Sequence, residues 1–323
     1  DPWKGEDAIH IGTAWSILAH GDWLTPDLAG RAFHEPPLYY WTAALTGKLF
    51  GWLLPAHEAM RLASGVWVGL ALTGLYYAGR ELYGQESAAA SPLLLAGSLG
   101  LILHAHDAQP MLVALAAYGC GLAALAALDR RPRLAGAWFG VAIAGCLLGA
   151  GIVPTLPLIA IAPFAGWRAA DRRRALTGLA LAAGVAALLA LPWPLSILAA
   201  EPARFHGWLA TELRPLQTPF SLTGLAAFAG MLPWFAFPAL PLAGWTLWTR
   251  RHRLAETPQL LPLVFLAVTL VVLAWGFRPR DIPALLLLPP VALLATPGAL
   301  SLRRGAASAF DWFAMMTFTF FVA

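Results

Sequence analysis

Residues 1–41, DPWKGEDAIHIGTAWSILAHGDWLTPDLAGRAFHEPPLYYW, form the one long polar segment of the chain. Almost everything after them consists of apolar runs of membrane-spanning length. A polar head in front of such runs reads as an extracytoplasmic loop leading into a helix bundle. Within it Glu6 and Asp7 are adjacent, and Ile9, Ile11, Ala14, Trp15 and Leu18 follow at helical spacing. That pattern predicts a short helix with one apolar face, suited to lying on the bilayer surface. Glu35-Pro36-Pro37 closes the segment before the aromatic cluster Leu38-Tyr39-Tyr40-Trp41, of the kind that anchors at a lipid–water boundary. Trp41–Leu54, stopped by Pro55, predicts a second juxtamembrane helix.

Composition points the same way. The chain has 323 residues, of which 59% are hydrophobic and 12% charged, and its mean hydropathy is +0.67. Soluble domains carry roughly 25% charged residues, so the deficit argues for an all-α polytopic membrane protein. The 15 tryptophans, many near the ends of apolar runs, suit interfacial belts. The net charge of +4 comes from arginines in short loops and gives no reason to expect a nucleic-acid partner. Cys120 and Cys146 both lie inside apolar runs and read as reduced core residues. The sequence begins at Asp1 without Met and stops at Ala323 inside an apolar run, so a further spanning helix is expected before Asp1.

About 20 apolar residues are needed to cross the bilayer. The candidate runs are Met60–Ala78, Ala88–Leu103, Pro110–Leu128, Leu134–Ala150, Ile152–Trp167, Ala175–Leu198, Leu222–Trp248, Leu260–Phe277, Pro283–Leu294 and Ala309–Ala323. They predict a bundle of about ten or more helices over 59–323, behind a head loop over 1–58. Almost no loop separates the two runs around Gly149-Ala150-Gly151, which predicts a broken or re-entrant pair. Arg80, Arg130-Arg131, Arg133, Arg168, Arg172-Arg173-Arg174, Arg250-Arg251, Arg253 and Arg303-Arg304 recur after alternate spans. By the positive-inside rule they share the cytoplasmic face. The other face receives the head loop, His104-Ala105-His106-Asp107, Glu201 to Gln217, and Arg278-Pro279-Arg280-Asp281.

Four clusters on that outer face carry groups able to do chemistry. Glu6-Asp7 offers a general base or metal-binding acid, although acids opening a helix also cap it. His104, His106 and Asp107 resemble a short metal-ligand cluster, or simply polar groups at a wet helix end. Arg278 and Arg280 present the planar fork that suits a phosphate, or else snorkel and pair with Asp281. Arg204, His206, Trp208, Glu212 and Arg214 read as a lid or as a solvated surface helix. A divalent metal, if one is used, has Glu6, Asp7, His104 and His106 available.

The acidic pair after DPWK, then GDWLTPDLAG, then E-P-P-L-Y-Y-W resembles the first external loop of bacterial GT-C glycosyltransferases. The branch is glycosyltransferase family 39, the relatives of protein O-mannosyltransferases and lipid A aminoarabinose transferases. The likeness continues through His104-Ala105-His106-Asp107, Leu191-Pro192-Trp193, Met231-Leu232-Pro233-Trp234, Arg278-Pro279-Arg280-Asp281 and Leu288-Pro289-Pro290. It implies a GT-C bundle with two juxtamembrane helices. It also implies inverting transfer of a sugar from a polyprenyl-phosphate donor to an envelope lipid, glycan or protein. The site would lie on the periplasmic side of a bacterial inner membrane. The family's acidic pair is usually Asp-Glu where this chain has Glu6-Asp7. Its Lys-Pro-Pro is Glu35-Pro36-Pro37 here, and a second family lysine falls at Pro154-Thr155. Glu6 or Asp7 is therefore expected as the base, and Arg278, Arg280 and Lys4 as the phosphate partners. Glu35, Tyr39, Tyr40, His104, His106, Asp107 and Asp281 are expected around donor and acceptor. The alternative is a non-catalytic membrane scaffold or lipid-linked-sugar binder on the same fold. A transporter is disfavoured because the spans hold almost no charge.

Overall fold

In the computed structural model the described residues are 5–28, 31–32, 34–302, 308, 312, 315, 316 and 319. Lys4, Arg303, Arg304 and most of the run expected over 309–323 lie outside them, as does the side chain of Asp281.

Helix α1 (Gly5–His20) is followed by a two-residue antiparallel ribbon, β1 (Asp27–Leu28) with β2 (Arg31–Ala32), and then by α2 (Leu38–Phe50). The bundle proper runs α3 (Ala56–Tyr83), α4 (Ala90–Ala96), α5 (Leu99–His104), α6 (Met111–Ala126), α7 (Pro132–Ala150) and α8 (Ile152–Arg168). It continues with α9 (Arg172–Ala190), α10 (Pro192–Ala200), α11 (Pro202–Leu213), α12 (Leu222–Phe235), α13 (Ala239–Thr249), α14 (Thr257–Gly276), α15 (Asp281–Ala284) and α16 (Leu288–Leu300).

The protein is all-α apart from the ribbon, and it is a multi-pass membrane protein. Among the described residues five helical stretches are long and apolar enough to cross a bilayer. They are α3, α7, α9 with α10, α14, and the stretch Ile282–Leu300. The run expected as one span over 222–248 is bent by 103° between α12 and α13, so at most six spans pass by length and composition. Pro233 and Pro238 explain the break, because a ring nitrogen cannot continue a helical ladder. The run expected over 88–103 is likewise divided at Gly97-Ser98. α7 and α8 are two complete helices joined by Gly151 alone. That residue takes φ +93°, a left-handed conformation that glycine adopts without strain.

Helix contacts follow membrane rules, in which small residues let backbones approach closely. α7 and α9 meet at Gly136 and Gly178, where an added Cβ would strike the partner's backbone. The main core lies inside the bundle around Leu112, Leu115, Tyr118, Phe139, Phe228, Phe265 and Leu285 to Leu288. A second cluster docks the head on the bundle: Ile11, Ala14 and Ile17 of α1 pack on Tyr39, Tyr40, Ala43 and Met60. The apolar face expected to lie on the bilayer is thus split. One stripe is buried in protein, while Ile9 and Trp15 stay exposed.

Polar ties fix the same docking. The Tyr39 hydroxyl meets Ser64 Oγ at 2.8 Å, and Ser64 donates to the Asp107 carbonyl at 2.9 Å. Arg204 of α11 donates to the Thr25 carbonyl at 2.8 Å, and the Trp193 indole donates to the Leu24 carbonyl at 3.1 Å. The head loop is therefore bound on two sides. Elsewhere Arg168 donates to the Ala255 carbonyl at 2.8 Å, and Arg131, Arg133 and Arg174 line one cleft.

Candidate active site

A cavity of about 630 Å³ opens where α1, the 34–36 turn, the α7–α8 junction, α11 and the 277–283 segment converge. Its titratable lining is Glu6, His10, His34, Glu35, Glu212, Arg278 and Arg280. Pro36, Pro110, Met111, Val153, Pro154, Phe277 and Ile282 supply apolar wall. The volume suits a sugar with a phosphate and the first units of a lipid tail.

The acidic pair divides its duties because consecutive helical residues point about 100° apart. Glu6 is exposed, lines the cavity and pairs with Arg280 at 3.6 Å. Asp7 points inward and is buried. It accepts from the Ala108 backbone N–H at 2.8 Å and is gripped by the Arg61 guanidinium. Asp7 thereby ties α1 to α3 and to the turn before α6. Arg61 escaped the sequence reading, because a lone arginine near a span end looks like a snorkelling cation.

The other expected residues scatter. Arg278 and Arg280 reach the cavity wall, and so does Glu35. Tyr39 is buried behind the wall against Ser64, and Tyr40 stands behind Glu35, to which its hydroxyl donates. His104 and Asp107 pair at 2.8 Å away from the cavity, and His106 is largely solvent-exposed. These three do not line the cavity, since the turn at 105–110 presents Gln109 to it instead. Among the described residues no group of three or more His, Cys, Asp or Glu side chains is placed to hold a metal ion. Glu6, Asp7, His104 and His106 therefore do not come together as a ligand set.

Three wall residues were not singled out in the sequence: His10, His34 and Gln109. His10 sits one helical turn after Glu6, a spacing that could have flagged it. Its Nδ1 meets the Tyr40 hydroxyl at 2.8 Å. Burial holds its pKa below the usual histidine value, against the opposing pull of Glu35, Glu6 and Asp7. His34 rests against Gly207 of α11.

Glu212 was expected only as part of a lid. Its Oε2 accepts from the Ile152 N–H at 2.7 Å, at the first turn of α8, where the missing Cβ of Gly151 makes room for the carboxylate. Burial pushes its pKa up to about 7, with the charge of Glu35 adding to the rise. The roof helix α11 is thus latched onto the α7–α8 junction. Arg204, Trp208 and Glu212 sit on that roof, and it closes one side of the cavity.

The family model described as dolichyl-phosphate-mannose-protein mannosyltransferase matches residues 34–197, just over half of the chain. The chain belongs to this family. Within it the chain is a GT-C glycosyltransferase relative of the aminoarabinose-transferase kind. It is 30% identical over 321 residues to an undecaprenyl phosphate-α-4-amino-4-deoxy-L-arabinose arabinosyl transferase of Pseudomonas paraeruginosa, covering 90% of this chain and 54% of that protein. The corresponding transferase 1 of Sodalis glossinidius is 29% identical over 313 residues, covering 88% of this chain and 54% of the relative. The chain therefore spans about half the length of these relatives. Its fold matches the crystal structure of ArnT from Cupriavidus metallidurans bound to undecaprenyl phosphate, with a TM-score of 0.74 at 19% identity over 95% of this chain and 57% of that one. It also matches an archaeal oligosaccharyltransferase, AglB from Archaeoglobus fulgidus, with a TM-score of 0.62 at 14% identity, covering 96% of this chain and 50% of the other. The family fold accordingly frames the cavity just described.

Proposed function

We propose that the chain transfers a sugar from a polyprenyl-phosphate donor to an envelope lipid, glycan or protein, in a cavity on the extracytoplasmic face. The observation that carries this reading is the cavity's mixed charge. Arg278 and Arg280 line it together with Glu6, Glu35 and Glu212, and Arg280 pairs with Glu6 at 3.6 Å. The arginines suit the donor phosphate, because a planar guanidinium binds two of its oxygens at once. Lys4 would lie near Glu6 in sequence and add to that charge. Polyprenyl phosphate is a good leaving group, so catalysis needs mainly positioning, charge neutralisation and activation of the acceptor. Of the acidic pair, Glu6 faces the sugar and polarises the acceptor hydroxyl, while Asp7 holds α1 in place. Attack from the side opposite the phosphate inverts the anomeric carbon.

The relatives' names specify an amino sugar on undecaprenyl phosphate. The present cavity supports the same class of donor. Two of its carboxylates, Glu35 and Glu212, have no lysine or arginine partner among the described residues. An ammonium group arriving beside Glu212 would favour its ionised form and draw its pKa back down. The arginine-rich loops gather away from this cavity, which supports a site on the extracytoplasmic side.

The test is direct. The purified chain in nanodiscs is given lipid A as acceptor and undecaprenyl-phosphate-linked 4-amino-4-deoxy-L-arabinose or the mannose analogue as donor, and released undecaprenyl phosphate and glycosylated acceptor are measured by mass spectrometry. Release from the amino-sugar donor, lost in Glu6→Gln, is the expected result. Binding without release from either donor would leave a lipid-linked-sugar binder as the correct description.

A further inference from the structure

Glu6 and His10 are spaced i, i+4 on α1, and both line the cavity. They differ in what holds them. Glu6 is paired with the Arg280 guanidinium at 3.6 Å, so its carboxylate is already engaged with a cation. His10 is held from behind by two neutral or anionic groups. The Tyr40 hydroxyl donates to Glu35 Oε2 at 2.5 Å and meets His10 Nδ1 at 2.8 Å.

A tyrosine hydroxyl has one proton. With that proton on Glu35, the Tyr40 oxygen must accept from His10, so Nδ1 carries the ring hydrogen. In a neutral imidazole the other nitrogen, Nε2, then bears a free lone pair. Nε2 has no hydrogen-bond partner among the described residues, and the ring is 13% exposed. We infer that His10 Nε2 takes the proton of the acceptor, and that Glu35 and Tyr40 set its tautomer.

This inference rests on the glycosyltransferase reading and assigns the proton within it. The acceptor O–H proton passes to Nε2 while the acceptor oxygen bonds to the anomeric carbon. The bond from that carbon to the phosphate oxygen breaks, and its electron pair leaves with the polyprenyl phosphate, against Arg278 and Arg280. The imidazolium keeps its Nδ1–H on Tyr40 and lies with Nδ1 3.9 Å from Glu35. Its proton returns to water as product leaves. Burial keeps the free imidazole neutral, and burial also keeps the Tyr40 hydroxyl protonated. The groups that set this balance are Glu6 and Asp7 on α1, and Glu35 and Tyr40 behind the ring. Glu212, His34, Arg278 and Arg280 line the same cavity.

The experiment uses the full chain in nanodiscs, labelled with ring-¹⁵N histidine, His10 being assigned by its loss in His10→Gln. Nitrogen NMR near neutral pH is expected to show Nδ1 protonated and Nε2 bare. Tyr40→Phe should shift the ring toward the Nε2–H form. With undecaprenyl-phosphate aminoarabinose as donor and lipid A as acceptor probe, His10→Gln should lower transfer about 10²–10⁴-fold, as loss of a positioned base does. Donor affinity should not change. Wild-type transfer should fall in acid as His10 is protonated, below the ordinary histidine range. Glu35→Gln should move that limb to lower pH, because it removes a charge that raises the His10 pKa. An Nε2–H tautomer in the wild type, or wild-type transfer by His10→Gln, overturns the assignment and leaves the transferase reading standing. A wild-type chain that transfers to no acceptor overturns both.

Discussion

Asp7→Asn separates a structural acid from a chemical one. Asparagine keeps an oxygen for the Ala108 N–H but loses the charge that holds Arg61. Asp7 is 4% exposed and the Arg61 side chain 24%, so the pair is largely withdrawn from water. Breaking a buried pair costs about 3–5 kcal/mol, chiefly because one charge is left uncompensated. Water reaches part of the guanidinium, which lowers the expected cost to about 2–3 kcal/mol. For a chain of this size that corresponds to an unfolding midpoint lower by roughly 4–10 °C. Intrinsic fluorescence of the detergent-solubilised protein on heating measures it, in Asp7→Asn, Arg61→Gln and the double variant. The double variant should recover part of the loss, because it leaves no lone charge. If Asp7→Asn unfolds at the wild-type temperature yet abolishes sugar transfer, Asp7 is a reacting group and the division of roles within the acidic pair is wrong.

Glu6→Gln is expected to behave oppositely, with an unchanged unfolding temperature and transfer to an added acceptor lowered about 10²–10³-fold, as loss of one positioned electrostatic group does. Arg280→Lys keeps a positive charge but loses the two-pronged geometry, and Arg278→Ala loses both. Each should weaken undecaprenyl phosphate binding about ten- to a hundredfold in a titration, the equivalent of about 1.5–3 kcal/mol for a charge-assisted bond. Unchanged affinity in both would mean the arginines only snorkel. Glu212 gives a pH prediction. Its carboxyl is raised from 4.5 to about 7, so the folded state holds the proton more tightly than the unfolded chain. Stability should therefore decline as pH rises from about 4.5 to about 7 and level off above that. The decline is at most about 3 kcal/mol, and smaller because the side chain is only partly buried. Glu212→Gln should flatten this part of the profile, and a slope that persists in the variant would mean another group titrates.

Hydropathy made the helical bundle legible. The same averaging hid its interruptions. The 88–103 and 222–248 runs are apolar throughout, so the breaks at Gly97-Ser98 and Pro238 barely disturb a window of spanning length. Glu6, Glu35, Arg278 and Arg280 were readable as cavity residues because charge beside a span end has few other uses. Asp7 was not separable from Glu6, since its partner Arg61 is 54 residues away. His104 and Asp107 looked like ligands, yet they satisfy each other at 2.8 Å. Glu212 gained its importance from Gly151 and Ile152, about 60 residues earlier, and no local pattern links them. His10 carried a local signal, its spacing from Glu6, but its Tyr40–Glu35 support needs the docking of α1 on α2.

The central claim is that a polyprenyl phosphate is held in this cavity with its phosphate on Arg278 and Arg280 and its sugar toward Glu6. The most direct measurement is a cryo-electron microscopy structure of the chain in nanodiscs with an undecaprenyl-phosphate-linked amino sugar. Headgroup density between Arg278, Arg280 and Glu6, with the tail leaving between helices, is the predicted result. Density at the arginine-rich end beside Arg131 and Arg174, with the cavity empty, would contradict it.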